Sequence, residues 1–322
     1  MTFPGSDKPL DPQIREVLAA RFNPDAPPLT SLTPEQVRAS MPPGLPEVLA
    51  PIGSTRDLEA PGPAGPVSLR LYRPEAIVNR DAIIFFHGGG FVFGSIDTHE
   101  NIARLLANST GRPVISAGYR LAPEHPFPAA VEDAYAAFAW VAAHAAELDI
   151  AHGAAGIVGD SSGGTLAAVV SYLARERSGP PVSFQILINP ALSMDMTTPS
   201  AVAAENGPGG TRAEMDWWIK YYLRSPEDAM NPLASPVLIP DLTGLPPALI
   251  VTAEYDPLND GSRLYADRLA EAGVTVTSRE YKGTIHGFLA FWRVAEVARR
   301  AFDDIGEFVR SFDGAASVRR QS

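Results

Sequence analysis

Short apolar runs alternate with longer stretches of helical period over most of this chain, and this rhythm constrains the fold more than any other feature. Continuous apolar runs of this length are typical of strands that are buried on both faces. The runs lie at residues 82–86, 114–117, 156–158, 184–188 and 248–252, and the helical stretches at 102–107, 131–148, 165–176, 262–272 and 294–312. The alternation predicts an α/β fold, with a mostly parallel sheet flanked by helices on both faces.

Two segments depart from this rhythm. Residues 1–50 are rich in proline and hold two short helical stretches, at 13–21 and from Thr33, where Gln36 is placed to complete a capping box. Such small helices cannot form a core of their own, so we expect this N-terminal arm to pack on the main domain. Residues 191–233 read as an insertion. The sequence therefore predicts a core made of residues 51–190 and 234–322.

The inserted segment contains a helical stretch that carries four aromatic residues. They are Trp217, Trp218, Tyr221 and Tyr222. An aromatic helix over the reactive edge of a sheet would form an apolar lid. For any single one of these residues, a place in the core is an equally good interpretation.

Composition excludes several classes of function. The net charge of −11 at pH 7 argues against a nucleic-acid partner, which requires a basic surface. The chain has no cysteine, so disulfides, thiol nucleophiles and Cys-ligated metals are excluded. We see no signal peptide, no stretch long enough for stable membrane insertion and no paired metal-binding histidines, and we expect a cytoplasmic enzyme without metal or cofactor.

The candidate nucleophile is Ser161. Residues 157–164 read IVGDSSGG, an apolar run followed by the sequence Gly159-x-Ser161-x-Gly163 and then a helical stretch. A sharp strand-to-helix turn exposes the central serine at the sheet edge and requires small residues two positions before and after it. Ser162 fits less well, because Asp160 would then stand where a small residue is needed. Without its strand and helix, the motif could equally be an ordinary glycine-rich turn.

A triple glycine follows the run at 82–86, in the sequence His87-Gly88-Gly89-Gly90-Phe91. Backbone N–H groups here can approach a substrate closely, so we expect Gly88, Gly89 and Gly90, together with Ser162, to form an oxyanion hole. His87 is expected to orient the loop. The alternatives are a flexible loop or a phosphate site, but the spacing lacks the usual phosphate-loop pattern.

The base and acid follow from chain order. Where a serine nucleophile lies in a strand-to-helix turn of this kind, the acid and then the histidine follow it in the chain. His286 is the only histidine after Ser161. Asp256 lies just past the apolar run at 248–252, and the proline after it favours an extended or turn conformation. Glu254 is the alternative acid, and Asp260 is expected to cap a helix.

These motifs together resemble the hormone-sensitive-lipase-like family of α/β-hydrolases, the bacterial family IV carboxylesterases. The resemblance covers about residues 65–310. It is carried by five strings: HGGGF at 87–91, YRLAPEHPFPAA at 119–130, GDSSGG at 159–164, DPLND at 256–260 and HGF at 286–288. The chain departs from the family at Ser162, where alanine is usual, and at 259–261, where Arg-Asp-Glu is frequent.

The resemblance implies an α/β-hydrolase core with a helical cap and hydrolysis of short-to-medium acyl esters through an acyl-enzyme intermediate. Members of the family often form homodimers, so the resemblance also allows a homodimer here. Phe91, Phe93, Trp217 and Trp218 are the expected pocket lining. Amide, lactone or deacetylation substrates would need the same triad and remain open. Plant gibberellin receptors share the fold and both glycine motifs but lack the catalytic histidine, which this chain keeps.

Overall fold

The computed structural model describes residues 4–40 and 48–313. Residues 41–47 of the predicted arm and the last nine residues of the predicted core lie outside the described residues. The first helix, α1, covers Pro12–Arg21, and the second, α2, covers Pro34–Ser40. The predicted capping box is present: the Thr33 N–H donates to Gln36 Oε1 at 2.8 Å, and the Gln36 N–H donates to Thr33 Oγ1 at 3.2 Å.

Eight strands of the described chain form one sheet in the order β1-β2-β4-β3-β5-β6-β7-β8. Only β2 runs antiparallel to its neighbours, β1 and β4, and the other pairs are parallel. The strands are β1 (Ser54–Gly62), β2 (Gly65–Arg73), β3 (Ile83–Phe86), β4 (Val114–Gly118), β5 (Ala155–Asp160), β6 (Val182–Ile188), β7 (Ala248–Tyr255) and β8 (Val276–Ile285). The mostly parallel sheet that the apolar runs predict is confirmed.

Strands β1, β2 and β8 lie outside the five predicted apolar runs, and β1 is the most exposed of the three. Strand β1 pairs with β2 alone at the edge of the sheet, and most of its side chains are exposed. A strand in this position needs no apolar period, so hydrophobicity gives no signal for it.

Seven further helices of the described chain complete the two layers around the sheet. They are α3 (Glu100–Thr110), α4 (Ala129–Ala143), α5 (Ser162–Glu176), α6 (Pro199–Ala203), α7 (Arg212–Tyr222), α8 (Asn259–Glu271) and α9 (Glu296–Arg310). Helix α4 ends five residues before the predicted 148. Ala145 and Leu148 remain buried beyond its end, so the apolar period continues where the helix does not.

The sheet separates two hydrophobic cores, and β3 contributes alternate side chains to each. Ile84 and Phe86 pack in the core with helices α4, α5 and α8, whereas Ile83 and Phe85 pack in the core with helices α3 and α9. Successive side chains of a strand point to opposite faces. A continuous apolar strand is therefore what a sheet covered on both faces requires.

The N-terminal arm is fastened to the core and to the inserted segment by specific hydrogen bonds. Arg38 of α2 donates from Nε to the Val92 carbonyl at 2.7 Å and from Nη2 to the Ala122 carbonyl at 2.6 Å. Trp217 of α7 donates from its indole N–H to the Leu32 carbonyl at 3.1 Å. The arm and helix α7 therefore contact each other directly.

We expect Arg38→Ala to loosen the arm. It leaves the Val92 and Ala122 carbonyls without their donor, a cost of about 1–3 kcal/mol. Limited proteolysis should cut the arm faster, and urea denaturation should show the lower stability. Glu124→Gln is the matched control, because the Glu124 side chain is 56% exposed and its ion pair with Arg38 contributes little. Equal loss in both variants would contradict the role of the two carbonyl contacts.

Candidate active site

Ser161 occupies the single residue between strand β5 and helix α5. Its backbone has a φ of 55° and a ψ of −117°, a conformation that a non-glycine residue rarely adopts. The turn is tight because its two small neighbours are packed against backbone. A Cβ on Gly159 would lie 1.9 Å from the Gly163 carbonyl oxygen, and one on Gly163 would lie 2.0 Å from the Phe86 carbonyl oxygen. Both positions therefore require glycine, as the motif predicts.

Three side chains from three loops form a continuous hydrogen-bonded line at the carboxyl edge of the sheet. His286 Nε2 lies 2.9 Å from Ser161 Oγ, and His286 Nδ1 lies 2.9 Å from Asp256 Oδ2. His286 keeps 18% of its side-chain surface exposed, whereas Asp256 keeps 1%. The structure thus brings the predicted nucleophile, base and acid together. The imidazole can remove the serine proton while the carboxylate holds the Nδ1–H tautomer.

Asp256 is fixed by two further donors. Asn189 Nδ2 donates to Oδ2 at 2.9 Å, and the Leu258 N–H donates to Oδ1 at 2.9 Å. Sequence reasoning missed Asn189. Its signal was its place directly after β6, at the same edge of the sheet as Ser161.

Glu254, the alternative acid, and Asp260, the predicted helix cap, both accept hydrogen bonds from other parts of the chain. Glu254 accepts the Gly283 N–H at 2.7 Å. The sequence predicted that Asp260 caps a helix, and this prediction is wrong. Asp260 lies within the first turn of its own helix, α8, and not at the cap position before it. Its carboxylate accepts the Ser200 N–H at 2.7 Å instead, and so holds the start of α6.

The electrostatics of His286 combine burial with nearby negative charge. Burial alone disfavours the imidazolium, but the charge and hydrogen bond of Asp256 outweigh it. With the charges of Asp160 and Glu214 added, the pKa of His286 lies above its ordinary value. The imidazolium that forms when Ser161 loses its proton is therefore stabilised.

The loop of residues 87–91, which the sequence predicts to form an oxyanion hole and which we call the oxyanion loop, begins at the end of β3. The Gly88 N–H donates to His99 Nε2 at 3.3 Å, so it is not directed at a substrate as the sequence led us to expect. Within the described chain, the N–H groups of Gly89 and Gly90 have no hydrogen-bond acceptor. Both glycines have positive φ, at 121° and 59°, a backbone conformation that residues with side chains rarely adopt.

His87 orients this loop, as predicted. Its Nδ1 lies 2.8 Å from the Gly88 carbonyl oxygen, and its ring stacks on Tyr119 with centroids 4.3 Å apart. Burial lowers the pKa of His87 to about 3, so the ring is neutral. Nδ1 carries the proton, and it donates to the carbonyl.

The four aromatic residues predicted to line the pocket divide into three groups. Trp218 packs on the oxyanion loop, since a Cβ on Gly90 would lie 2.6 Å from Trp218 Cγ. Phe93 is half-buried beside Gly89. Phe91 and Trp217 lie in the core: Phe91 stacks on Tyr222 at 3.7 Å, and Trp217 is 6% exposed and bonded to the arm.

Two depressions reach the residues beside the triad. One has a volume of about 480 Å³, and Asp160, Gly287, His99, Trp292 and Arg293 contribute to its walls. The other, of about 290 Å³, runs between the arm and the inserted segment, past Gly210 and Glu214. Pockets of a few hundred Å³ are the size that small molecules occupy.

Comparison with known proteins agrees with this geometry. Residues 83–290 match the alpha/beta hydrolase fold family. This chain belongs to that family. The match with carboxylic ester hydrolase LipN of Mycobacterium tuberculosis has 42% identity and covers 74% of this chain and 65% of LipN. The match with an arylesterase of Saccharolobus solfataricus has 36% identity and covers 87% and 92% of the two chains.

Solved structures give the same result. A Pyrobaculum calidifontis esterase superposes with a TM-score of 0.84 at 40% identity, covering 95% of this chain and 99% of its own. An ester hydrolase from the Lake Arreo metagenome, in complex with a bipyridine phosphonate derivative, has a TM-score of 0.88 at 37% identity and the same coverage. This enzyme is a carboxylic ester hydrolase of the hormone-sensitive-lipase-like branch.

Two further observations concern the described residues alone. They contain no group of three or more histidine and carboxylate side chains that could hold a metal ion. None of their helices combines the length and the apolar character that crossing a bilayer demands.

Ser162 offers a test of how much of the turn depends on backbone alone. Its side chain is fully buried, and Oγ has no hydrogen-bond partner within the described chain. The Tyr119 phenol lies close enough to Ser162 to influence it, but the geometry of the two hydroxyls forms no hydrogen bond, and the Tyr119 O–H is donated to the His87 carbonyl oxygen at 2.7 Å. We expect Ser162→Ala to keep kcat/KM within about threefold and to raise stability by up to about 1 kcal/mol, since an unpaired hydroxyl is removed.

Thr165→Val on the same helix is the control for this substitution. The Thr165 hydroxyl is also buried, but it donates to the Ala191 carbonyl at 2.5 Å. Its loss should cost about 1–3 kcal/mol in denaturant unfolding. Ser162→Ala would contradict the expectation if it were destabilised as much as Thr165→Val.

Glu214→Gln should move the acid limb of the pH–kcat/KM profile to lower pH. The Glu214 charge raises the pKa of His286, so removing it lowers that pKa and leaves more neutral imidazole in acid. The capping box with Thr211 survives, because a glutamine oxygen also accepts the Thr211 N–H. Asp216→Asn, on the exposed side of the same helix, should leave the limb in place. A limb unmoved in Glu214→Gln would contradict this electrostatic role.

Proposed function

We propose that Ser161, His286 and Asp256 are the catalytic triad of an esterase that acts on short-to-medium acyl esters. The observation that carries the proposal is the pair of 2.9 Å contacts that link Ser161 Oγ to His286 and His286 to Asp256. The same pair weighs against a non-catalytic ligand receptor. A receptor would have no need of a base aligned on a half-buried serine.

The reaction proceeds through an acyl-enzyme. Ser161 Oγ attacks the ester carbonyl as His286 Nε2 takes its proton, and the carbonyl oxygen becomes an oxyanion. His286 then gives the proton to the leaving alcohol. Water activated by the same imidazole hydrolyses the acyl group from Ser161. The Asp256 carboxylate stabilises the imidazolium in both halves of the reaction.

The oxyanion donors of this proposal are the N–H groups of Gly89, Gly90 and Ser162. The first two have no acceptor within the described chain, and the third opens helix α5, whose positive end favours negative charge. Such donors contribute about 3 kcal/mol each to the transition state. Gly88 is left out, because its N–H is already donated to His99.

We propose that residues 1–50 and 191–233 together form a cap over this edge of the sheet. The support is the Trp217–Leu32 hydrogen bond between the two segments and the packing of Trp218 on Gly90. Trp218 thereby limits the space above the oxyanion loop. This favours esters with short-to-medium acyl chains.

Hydrolysis of p-nitrophenyl esters from acetate to palmitate tests the proposal. We expect wild-type activity to be highest for acyl chains of up to about eight carbons. Ser161→Ala and His286→Ala should lose about 10⁴-fold or more in kcat, since members of a triad act as a unit. Circular dichroism controls for folding. Mass spectrometry after treatment with diethyl p-nitrophenyl phosphate should place the adduct on Ser161.

The opposite outcomes are equally clear. An inactive wild type would overturn the esterase assignment, and a fully active Ser161→Ala would overturn the nucleophile.

A cytoplasmic location and a homodimer remain predictions from the sequence and its resemblance. No contact in the structure favours an amide, a lactone or a deacetylation substrate over an ester.

A further inference from the structure

His99 occupies an unusual place at the start of helix α3. It is the N-cap residue, a position where serine, threonine, aspartate and asparagine are preferred because their side chains accept helix N–H groups. The His99 side chain makes no such capping bond. It reaches instead to the oxyanion loop, where Nε2 accepts the Gly88 N–H at 3.3 Å.

The hydrogen bonds around His99 define its tautomer. Nε2 accepts the hydrogen bond from the Gly88 N–H and lies 3.6 Å from Asp160 Oδ2, beyond hydrogen-bond distance, so the ring proton of the neutral imidazole is on Nδ1. Nδ1 lies 2.9 Å from Thr98 Oγ1, and the Thr98 hydroxyl in turn donates to the Ser95 carbonyl at 3.1 Å. One lone pair of Thr98 Oγ1 accepts the Ser95 N–H at 2.8 Å, and the other can accept the Nδ1–H. The direction of donation runs from His99 to Thr98 to Ser95.

Gly88 is held from both sides by imidazole rings. His99 accepts its N–H, and His87 donates to its carbonyl oxygen. Gly88 also lies against the nucleophile turn: a Cβ there would be 3.0 Å from Asp160 Oδ2 and 3.2 Å from Ser161 Cβ. The position of Gly88 therefore determines where the next two N–H groups stand relative to Ser161 Oγ.

We propose that His99 is a positioning residue for the oxyanion hole, acting through the Nε2 lone pair that accepts the Gly88 N–H. The inference rests on the proposed function, in which Gly89 and Gly90 donate to the oxyanion. It assigns to His99 a part in transition-state stabilisation without contact with the substrate. Ground-state binding should depend on it little, because the ester carbonyl gains its full negative charge only in the transition state.

Two substitutions separate acceptance of the hydrogen bond from mere space filling. His99→Leu fills much of the site but cannot accept a hydrogen bond, whereas the amide oxygen of His99→Gln can. With p-nitrophenyl butyrate, we expect His99→Leu to lower kcat by about 10–100-fold with KM within about threefold, as expected for misplaced oxyanion donors. His99→Gln should recover most of kcat. His144→Leu is the control. His144 is a half-buried histidine that stacks on Trp140, and it has no contact with the oxyanion loop among the described residues.

Phenylboronic acid gives a readout that a structural role would not move. It adds to the serine as a tetrahedral, negatively charged adduct. We expect its Ki to rise in His99→Leu by about the factor lost in kcat, and to stay near the wild-type value in His99→Gln and His144→Leu. Equal kcat in His99→Leu and wild type would overturn the proposal, as would equal losses in the Leu and Gln variants or an unchanged Ki.

Histidine NMR tests the same idea without relying on a folded leucine variant. Long-range ¹H–¹⁵N spectra of the ¹⁵N-histidine-labelled wild type should show several rings protonated on Nδ1, His87 and His286 among them, and the signals of one such ring should disappear in His99→Gln. An Nε2-protonated His99 would overturn the proposal. If wild type hydrolyses esters and Ser161→Ala does not, a failure of these tests removes the His99 inference alone and leaves the proposed function standing.

Discussion

The strained turn at Ser161 is the constraint on which the rest of the site depends. A serine with φ of 55° can persist only if its surroundings hold it there, and they do so through backbone packed on backbone. Gly163 lies against the Phe86 carbonyl, so the turn is fixed by the strand that leads into the oxyanion loop. The turn that carries Ser161 and the glycine loop that follows β3 are therefore held by the same contact. Neither can move without displacing the other.

Charge is distributed around this turn so that one proton can move. Asp256 is almost fully buried, and Asn189, Leu258 and His286 each supply its carboxylate with a hydrogen-bond donor. The cost of burying the carboxylate is thus offset before any substrate arrives. Two further carboxylates, Asp160 and Glu214, act on His286 from β5 and α7. The base is therefore tuned by the sheet and by the inserted segment together.

The sequence was enough to predict most of the parallel strands and the three side chains that the structure brings together. Strands buried on both faces must be continuously apolar, and Ser161 and Asp256 each follow such a strand, whereas His286 follows the edge strand β8 and was identified by its order in the chain. What escaped prediction has a different cause. Strand β1 has no apolar period because it lies at an exposed edge, and Asp260 binds α6, a helix sixty residues earlier in the chain. Phe91 and Trp217 resemble pocket residues in sequence, but whether an aromatic ring faces a ligand or a core depends on tertiary packing.

The conformation of the oxyanion loop is not determined by its own sequence. Three consecutive glycines look equivalent in sequence, and all three N–H groups would serve equally as donors. They become different only because His99, eleven residues later, accepts the first N–H, while Trp218 of the inserted segment packs on the third. A triple glycine has no side chains with which to fix its own conformation. Its conformation must be fixed by its neighbours. His87 and His99 provide this by holding Gly88 through hydrogen bonds.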